Sequence, residues 1–391
     1  MCSKGKVAAF LLLLGAGCEK PPPPVAASAD TTLARKLFAE AGFPEGKGFP
    51  KLELLYNTDE YHRQIAAAVQ EMWRVTLGIE VELRNMEFPV MMDTVHRGDY
   101  QIARQAALGL YADPLAFLEL FAADSASNPT GWTSPRYEEL LASSHDEADP
   151  AKRLELLAQA ERTLLDEAPL TPVFHYVAHN LIKPFVKGVH LNARDIHPLQ
   201  GVTLEGEGAP KDGVLIFNGG AEPDSLDPAL SRIIAGYKIL QHLYEGLVMP
   251  EPLAGAPAPA LAERWDVSSD GRTWRFHLRK AEWSNGDPVT AGDFVYAWRR
   301  AVDPATGSGY AHWMYPVQGA REIVARKADP STLGVRAIDD RTLEVTLVRR
   351  TPYFLELLGI NVYFPVHRAT LEKHGKRFME PENAVVNGPY R

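Results

Sequence analysis

Lys51–Phe88, KLELLYNTDEYHRQIAAAVQEMWRVTLGIEVELRNMEF, is the stretch that decides the fold class of this chain. KLELLYN reads as a strand. Beyond Tyr61, the apolar Ile65, Val69, Met72 and Trp73 recur at helical spacing, and Gly78 closes the helix. IEVELRNMEF then alternates as a half-buried strand. Strand, helix and strand within about forty residues make a βαβ unit, so an α/β lobe is expected.

The pattern extends both ways. Upstream, TTLARKLFAEAGF predicts a helix with Leu33, Leu37 and Phe38 on one face. Downstream, Pro150–Asp166 predicts a helix opened by proline, followed by a strand-rich segment, APLTPVFHYVAHNLIKPFV (168–186). GVTLEGEGAPKDG (201–213), dense in glycine, proline and charge, reads as an internal linker. GVLIFNG (213–219) predicts a strand and AGYKILQHLYEGLV (235–248) a helix with Ile239, Leu240 and Leu243 in a stripe. Turns follow at Asp270-Gly271, Asn285-Gly286 and Asp339-Asp340, with a helix beginning after Thr290. This second half is α+β.

With 391 residues, 46% of them hydrophobic, the chain can bury a sizeable core and divide into more than one domain. A formal net charge of -9 argues against a phosphate-binding surface, so nucleic acid is excluded as the main partner. Only Cys2 and Cys18 are present, so an internal disulfide is not expected in a processed chain.

The N-terminus has the order of an export signal: Lys4 and Lys6, the apolar run VAAFLLLLGAG, then small residues leading into Cys18. Residues 1–18 are therefore expected to lie outside the fold, with 19–31, rich in proline, as a tether. The run into Cys18 resembles a bacterial lipobox, which implies acylation of Cys18, although Gly15 stands where that motif usually has leucine; a plain cleaved signal is the alternative. No nucleophile elbow, zincin motif, paired-cysteine motif or P-loop occurs, so an enzyme is not expected. His175 and His179 stand four apart, but on a strand that spacing spans about 13 Å, too far for one metal. No metal or cofactor is expected.

Several phrases resemble one family across nearly the whole chain. GAEPDSLDP, LYEGLV, WSNGDPVTAGDFVYAWRRAVDPATGSGYA and ENAVVNGPY resemble the N-terminal half of the periplasmic oligopeptide-binding proteins, the solute receptors of ABC peptide importers. LLYNTDEYHRQIAAAVQEMW, LGIEVEL and YADPLAFLELF resemble their C-terminal part. The resemblance implies an α/β, two-lobed periplasmic-binding-protein fold, permuted and incomplete. A C-terminal-lobe portion would occupy 32–205, a linker 206–213, and the N-terminal portion with the smaller lobe 214–391; the family's middle section has no counterpart here. A permutant with a deletion, a piece of two receptors fused in tandem, and a rearranged remnant without ligand are the alternatives.

The function so implied is delivery of a peptide, held by its backbone between lobes, to a permease in the inner membrane. The location so implied is the periplasmic side of the envelope, with a lipid anchor. By resemblance, ligand contacts fall at His62, Phe88, Arg104, Ala106, Leu108, Leu110, Ile234 and Tyr310. Leu110 replaces an aspartate that takes the ligand's ammonium in peptide-binding members, Ala107 replaces a tryptophan, and Val95 replaces a basic residue. Weak binding of unmodified peptides is the consequence, and a receptor for a modified peptide or a sugar is the rival reading.

Overall fold

The structure, a computed structural model, describes residues 9–11, 31–107, 109, 111–123, 125, 128–177, 179–192, 196–219, 222–251 and 256–390. The chain divides into two compact units. Met1–Gly109 with Pro114–Val177 form the first, and Leu110–Asp113 with Ala178–Arg391 form the second. This division falls at Val177/Ala178, upstream of the 206–213 linker read from the sequence.

The first unit is built on a parallel sheet. Its elements are β1 (Ala9–Leu11), α1 (Thr31–Glu40), β2 (Leu52–Asn57), α2 (Glu60–Leu77), β3 (Val81–Met86), α3 (Phe88–His96) and β4 (Ile102–Arg104), followed by α4 (Leu115–Leu118), α5 (Pro135–Asp146) and α6 (Pro150–Glu167). The strand order is β1-β4-β2-β3, with β2 parallel to both β3 and β4. The expected βαβ unit is thus β2-α2-β3. Asp59 caps α2, its side chain accepting from the His62 amide at 3.0 Å, and Gly78 ends the helix at φ 71°. Leu54, Tyr56, Ala66, Ile79, Val81 and Ile102 make the core, with Phe38, Leu52, Trp73 and Leu83 packed against it.

Two stripes read from the sequence are kept only in part. Met72 is exposed on α2, and the inward row is Ala66, Val69 and Trp73. His62 lies one turn before Ala66 on the same row, which places it at the base of the helix. On α1, Leu33 and Leu37 are exposed, and Phe38 packs against the core. A helix can satisfy its periodicity in adjacent registers, and the sheet it packs on selects one. The apolar leader also differs from its reading: Ala9–Leu11 forms β1, parallel to β4. β4 has an open edge, and an apolar run with unspent backbone groups fills it. Cys18 lies outside the described residues.

The second unit carries β5 (Val186–Lys187), β6 (Thr203–Leu204), α7 (Ile234–Leu243), β7 (Val248–Pro250), β8 (Pro257–Pro259), β9 (Ala262–Val267), β10 (Thr273–Leu278), α8 (Ala291–Val302), α9 (Ala320–Val324), β11 (Val335–Asp339), β12 (Thr342–Thr346), α10 (Phe354–Leu357) and α11 (Arg368–His374). Its main sheet is antiparallel, ordered β11-β12-β10-β9. α8 opens with a capping box of Thr290 and Asp293. Trp298 on α8 is fully buried and donates from its indole nitrogen to the Tyr363 carbonyl at 2.8 Å. The solvent face of the sheet is a charge ladder. Glu344 is buried between Arg275 and Arg336, Arg275 at 2.6 Å, and Asp266 accepts from His277 at 2.8 Å. Burial pushes the Glu344 carboxyl up, but the two guanidinium groups outweigh it and hold it below the usual range.

Two predicted strands are absent. Among the described residues of 168–186, Leu170 makes a single β-bridge and only Val186 belongs to a strand, β5, while 213–219 enters none. Both stretches have strand composition, but neither is given a neighbour along its length. Strand propensity expresses packing on a pleated surface, so without that surface it does not form a strand.

Candidate functional site

In the first unit, two side chains from separate elements converge on one phenol. Arg104 ends β4, whose residues are all buried, and is itself 5% exposed. Its terminal nitrogen donates to the Tyr176 hydroxyl in a short hydrogen bond, and its guanidinium carbon lies 5.7 Å from the centre of the Tyr176 ring. His62, in the first turn of α2, brings Nε2 to 2.8 Å from the same hydroxyl. Asp59 stays 3.9 Å from His62 Nδ1, beyond hydrogen-bond reach.

The unspent capacity of this cluster is its chemical content. Arg104 Nε and His62 Nδ1 are buried and have no hydrogen-bond partner. No carboxylate pairs with Arg104 among the described residues, so the structural ion pair that would account for a buried arginine is not found there. Among the described residues the partners of this buried cation are a phenol and a ring face, which leave it undercompensated, and an incoming anion would relieve it. Burial, with help from Arg104, pushes the His62 imidazolium pKa down. Tyr61 and Phe174 extend the apolar side of the cluster, with ring centres 5.9 Å apart and Phe174 5.3 Å from Tyr176.

The other residues implied by resemblance are distributed as follows. Phe88 is the first residue of α3 and is exposed, Ala106 is exposed just past β4, and Val95 is buried in α3. Leu108 and Leu110 lie outside the described residues. Tyr111 belongs to the second unit, stacked on Tyr353 at 5.2 Å and edge-on to Trp313 at 5.8 Å. In the second unit, Ile234 is the exposed first residue of α7, preceded by Ile233 without a side-chain cap, which leaves first-turn amides without intrahelical acceptors. Tyr310 donates from its hydroxyl to the Arg232 carbonyl at 2.6 Å, and burial pushes its pKa up. Asp224 holds the same loop, accepting from the Arg232 amide at 2.9 Å and the Ser231 hydroxyl at 3.2 Å.

Sequence reading singled out His175 and His179 in FHYVAH, whereas the residue that enters the cluster is Tyr176. No periodicity or motif marks it, and its role comes from facing Arg104, 72 positions away. Among the described residues no group of histidine, cysteine and acidic side chains is arranged to hold a metal ion, and no helix is long and apolar enough to cross a membrane.

Comparison with known proteins supplies the family. The sequence model described as bacterial extracellular solute-binding proteins, family 5 Middle, matches residues 12–129 and 256–391, more than half of the chain. The periplasmic oligopeptide-binding protein OppA of Escherichia coli K12 is 47% identical over 193 residues, covering 49% of this chain and 34% of that protein. The probable deoxycholate-binding periplasmic protein YgiS of the same organism is 43% identical over 180 residues, covering 45% of this chain and 34% of that protein. Among solved structures, Haemophilus influenzae OppA in complex with RPPGFSPFR is 43% identical with a TM-score of 0.44, over 44% of this chain and 34% of that one. The chain spans about a third of the length of the curated relatives it matches. On the extent of the family match, the chain belongs to the bacterial extracellular solute-binding proteins of family 5.

Proposed function

We propose that this chain is part of an extracytoplasmic receptor that binds a carboxylate-bearing solute, an oligopeptide in the first instance, for delivery to an ABC importer. The observation that carries this reading is the buried Arg104, whose Nε has no hydrogen-bond partner, sharing the Tyr176 hydroxyl with His62. A peptide offers a terminal carboxylate to such a pair, and charge-assisted hydrogen bonds to it are among the strong ones. The backbone of Ala106 and Leu108 and the first-turn amide of Ile234 are proposed to meet the peptide main chain, with Phe88, Leu110 and Tyr310 along its side chains. A second reading, a receptor for another small carboxylate, is favoured by the likeness to the relative named as deoxycholate-binding.

Calorimetry with a tripeptide and with its C-terminal amide tests the proposal. The free acid is expected to bind more tightly by about tenfold or more. Equal affinity would remove the carboxylate from the recognition. The pH dependence has a definite sign. In the free protein the His62 pKa is depressed, so the ring is neutral at pH 7; a bound carboxylate stabilises the imidazolium, and binding takes up a proton. Affinity for the acid is therefore expected to rise as pH falls below about 6.5, the ordinary imidazole value, and to lose that slope in His62→Gln.

The lipid anchor on Cys18, the permease partner and the reversed order of the two family portions belong to the same proposal. A mature N-terminus that mass spectrometry finds unacylated would remove the anchor and leave the binding reading intact.

A further inference from the structure

Tyr176 has two ends, and recognition of a carboxylate draws on only one. Its hydroxyl meets Arg104 and His62, while its ring, in a side chain 40% exposed, stands among other rings. Phe174, two positions away, brings its ring centre to 5.3 Å, and Tyr61, 51% exposed in the first turn of α2, stands 6.4 Å from Tyr176. Tyr61 also meets Phe174 edge-on, at 5.9 Å and 84°. These spacings and tilts are the ones aromatic rings prefer, so a further ring can join the group in the same geometry.

The aromatic group adjoins the buried cation. Tyr61 precedes His62 on α2, with ring centres 6.5 Å apart, so one helical turn supplies both an edge of the group and a partner for an acid. Arg104 reaches the same group, its guanidinium carbon 5.7 Å from the centre of the Tyr176 ring. In a C-terminal phenylalanine only the α and β carbons separate the carboxylate from the ring. A ligand held by that carboxylate at Arg104 and His62 therefore carries its ring to the exposed aromatic side chains.

We propose that Tyr61, Phe174 and Tyr176 select a ligand with an aromatic ring next to its carboxylate, a peptide ending in phenylalanine, tyrosine or tryptophan. This selection rests on the carboxylate reading of the same cluster and adds which residue bears that carboxylate. The aromatic contact and the apolar area it covers are together worth about tenfold in affinity. Tyr61 is the specificity-determining residue, because it comes from a different element than the other two rings and its loss opens the group on one side.

Calorimetry on the full chain with Ala-Ala-Phe, its isomer Phe-Ala-Ala, Ala-Ala-Ala, and the C-terminal amide of each tests this. Ala-Ala-Phe is expected to bind about tenfold more tightly than either of the other acids. Tyr61→Ala should narrow that gap to about threefold or less, and Tyr61→Phe should keep it. Equal affinity for all the acids, each still bound more tightly than its amide, would overturn the proposal and leave the carboxylate reading standing. A preference that Phe-Ala-Ala shares, or that Tyr61→Ala leaves intact, would overturn it too, since the ring would then be met elsewhere. Acids bound no better than their amides would remove the carboxylate reading, and the selection with it.

Discussion

Replacing Asp227 by alanine is expected to destabilise the second unit by about 3–5 kcal/mol, the usual result of breaking a buried ion pair from one side. Asp227 and Arg300 meet in a two-pronged contact at 2.8 and 2.5 Å, and both side chains are largely withdrawn from water. The aspartate also accepts from the Ala229 amide at 3.0 Å and so shapes the turn that leads to the Arg232–Tyr310 contact. After the substitution Arg300 keeps its charge in a largely buried place, with the Phe378 ring 5.9 Å away and no carboxylate bonded to it among the described residues. That stranded charge, more than the lost bond, sets the size of the effect. Urea unfolding measures it. The double variant Asp227→Leu/Arg300→Met should recover much of the loss, because both charges are then gone. A single variant within about 0.5 kcal/mol of the parent would show that the pair is hydrated in solution.

The second large effect concerns affinity. Arg104→Gln is expected to weaken binding of a free tripeptide by about tenfold to a hundredfold or more, the range for one charge-assisted hydrogen bond. Binding of the C-terminal amide should barely change, so the ratio between the two collapses toward one. That ratio separates recognition from damage to the fold, since a misfolded site would lose both ligands together. Glutamine keeps a donor for the Tyr176 hydroxyl, so the sheet end at β4 has little reason to rearrange. Arg104→Lys should recover part of the ratio, because the charge returns without the planar fork. An unchanged ratio in Arg104→Gln would move the carboxylate away from this cluster and leave the family membership untouched.

The elements that the sequence made legible are those whose signal is local. β2, α2 and β3 announce themselves by period and by their caps, Asp59 and Gly78, and hydrogen bonds within about four residues enforce the helix. The Thr290–Asp293 capping box and the Gly271 and Gly286 turns, with φ of 69° and 91°, are local in the same sense. The family phrases are legible because they are long, and the match over 12–129 and 256–391 rests on such runs.

Tertiary structure decided what depends on a distant neighbour. It gave Met72 to solvent and Trp73 to the core, because helical periodicity fixes a stripe only to within a position while the sheet beneath selects one face. It left GVLIFNG without a ladder although Val214, Ile216 and Phe217 favour one, since a strand is completed by bonds to another segment and cannot satisfy itself. Likewise it set Arg104 and His62 on one phenol of Tyr176, 72 and 114 positions away. No pattern along the chain encodes that meeting: it arises where the end of a parallel strand, the first turn of a helix and a later segment are carried to the same point.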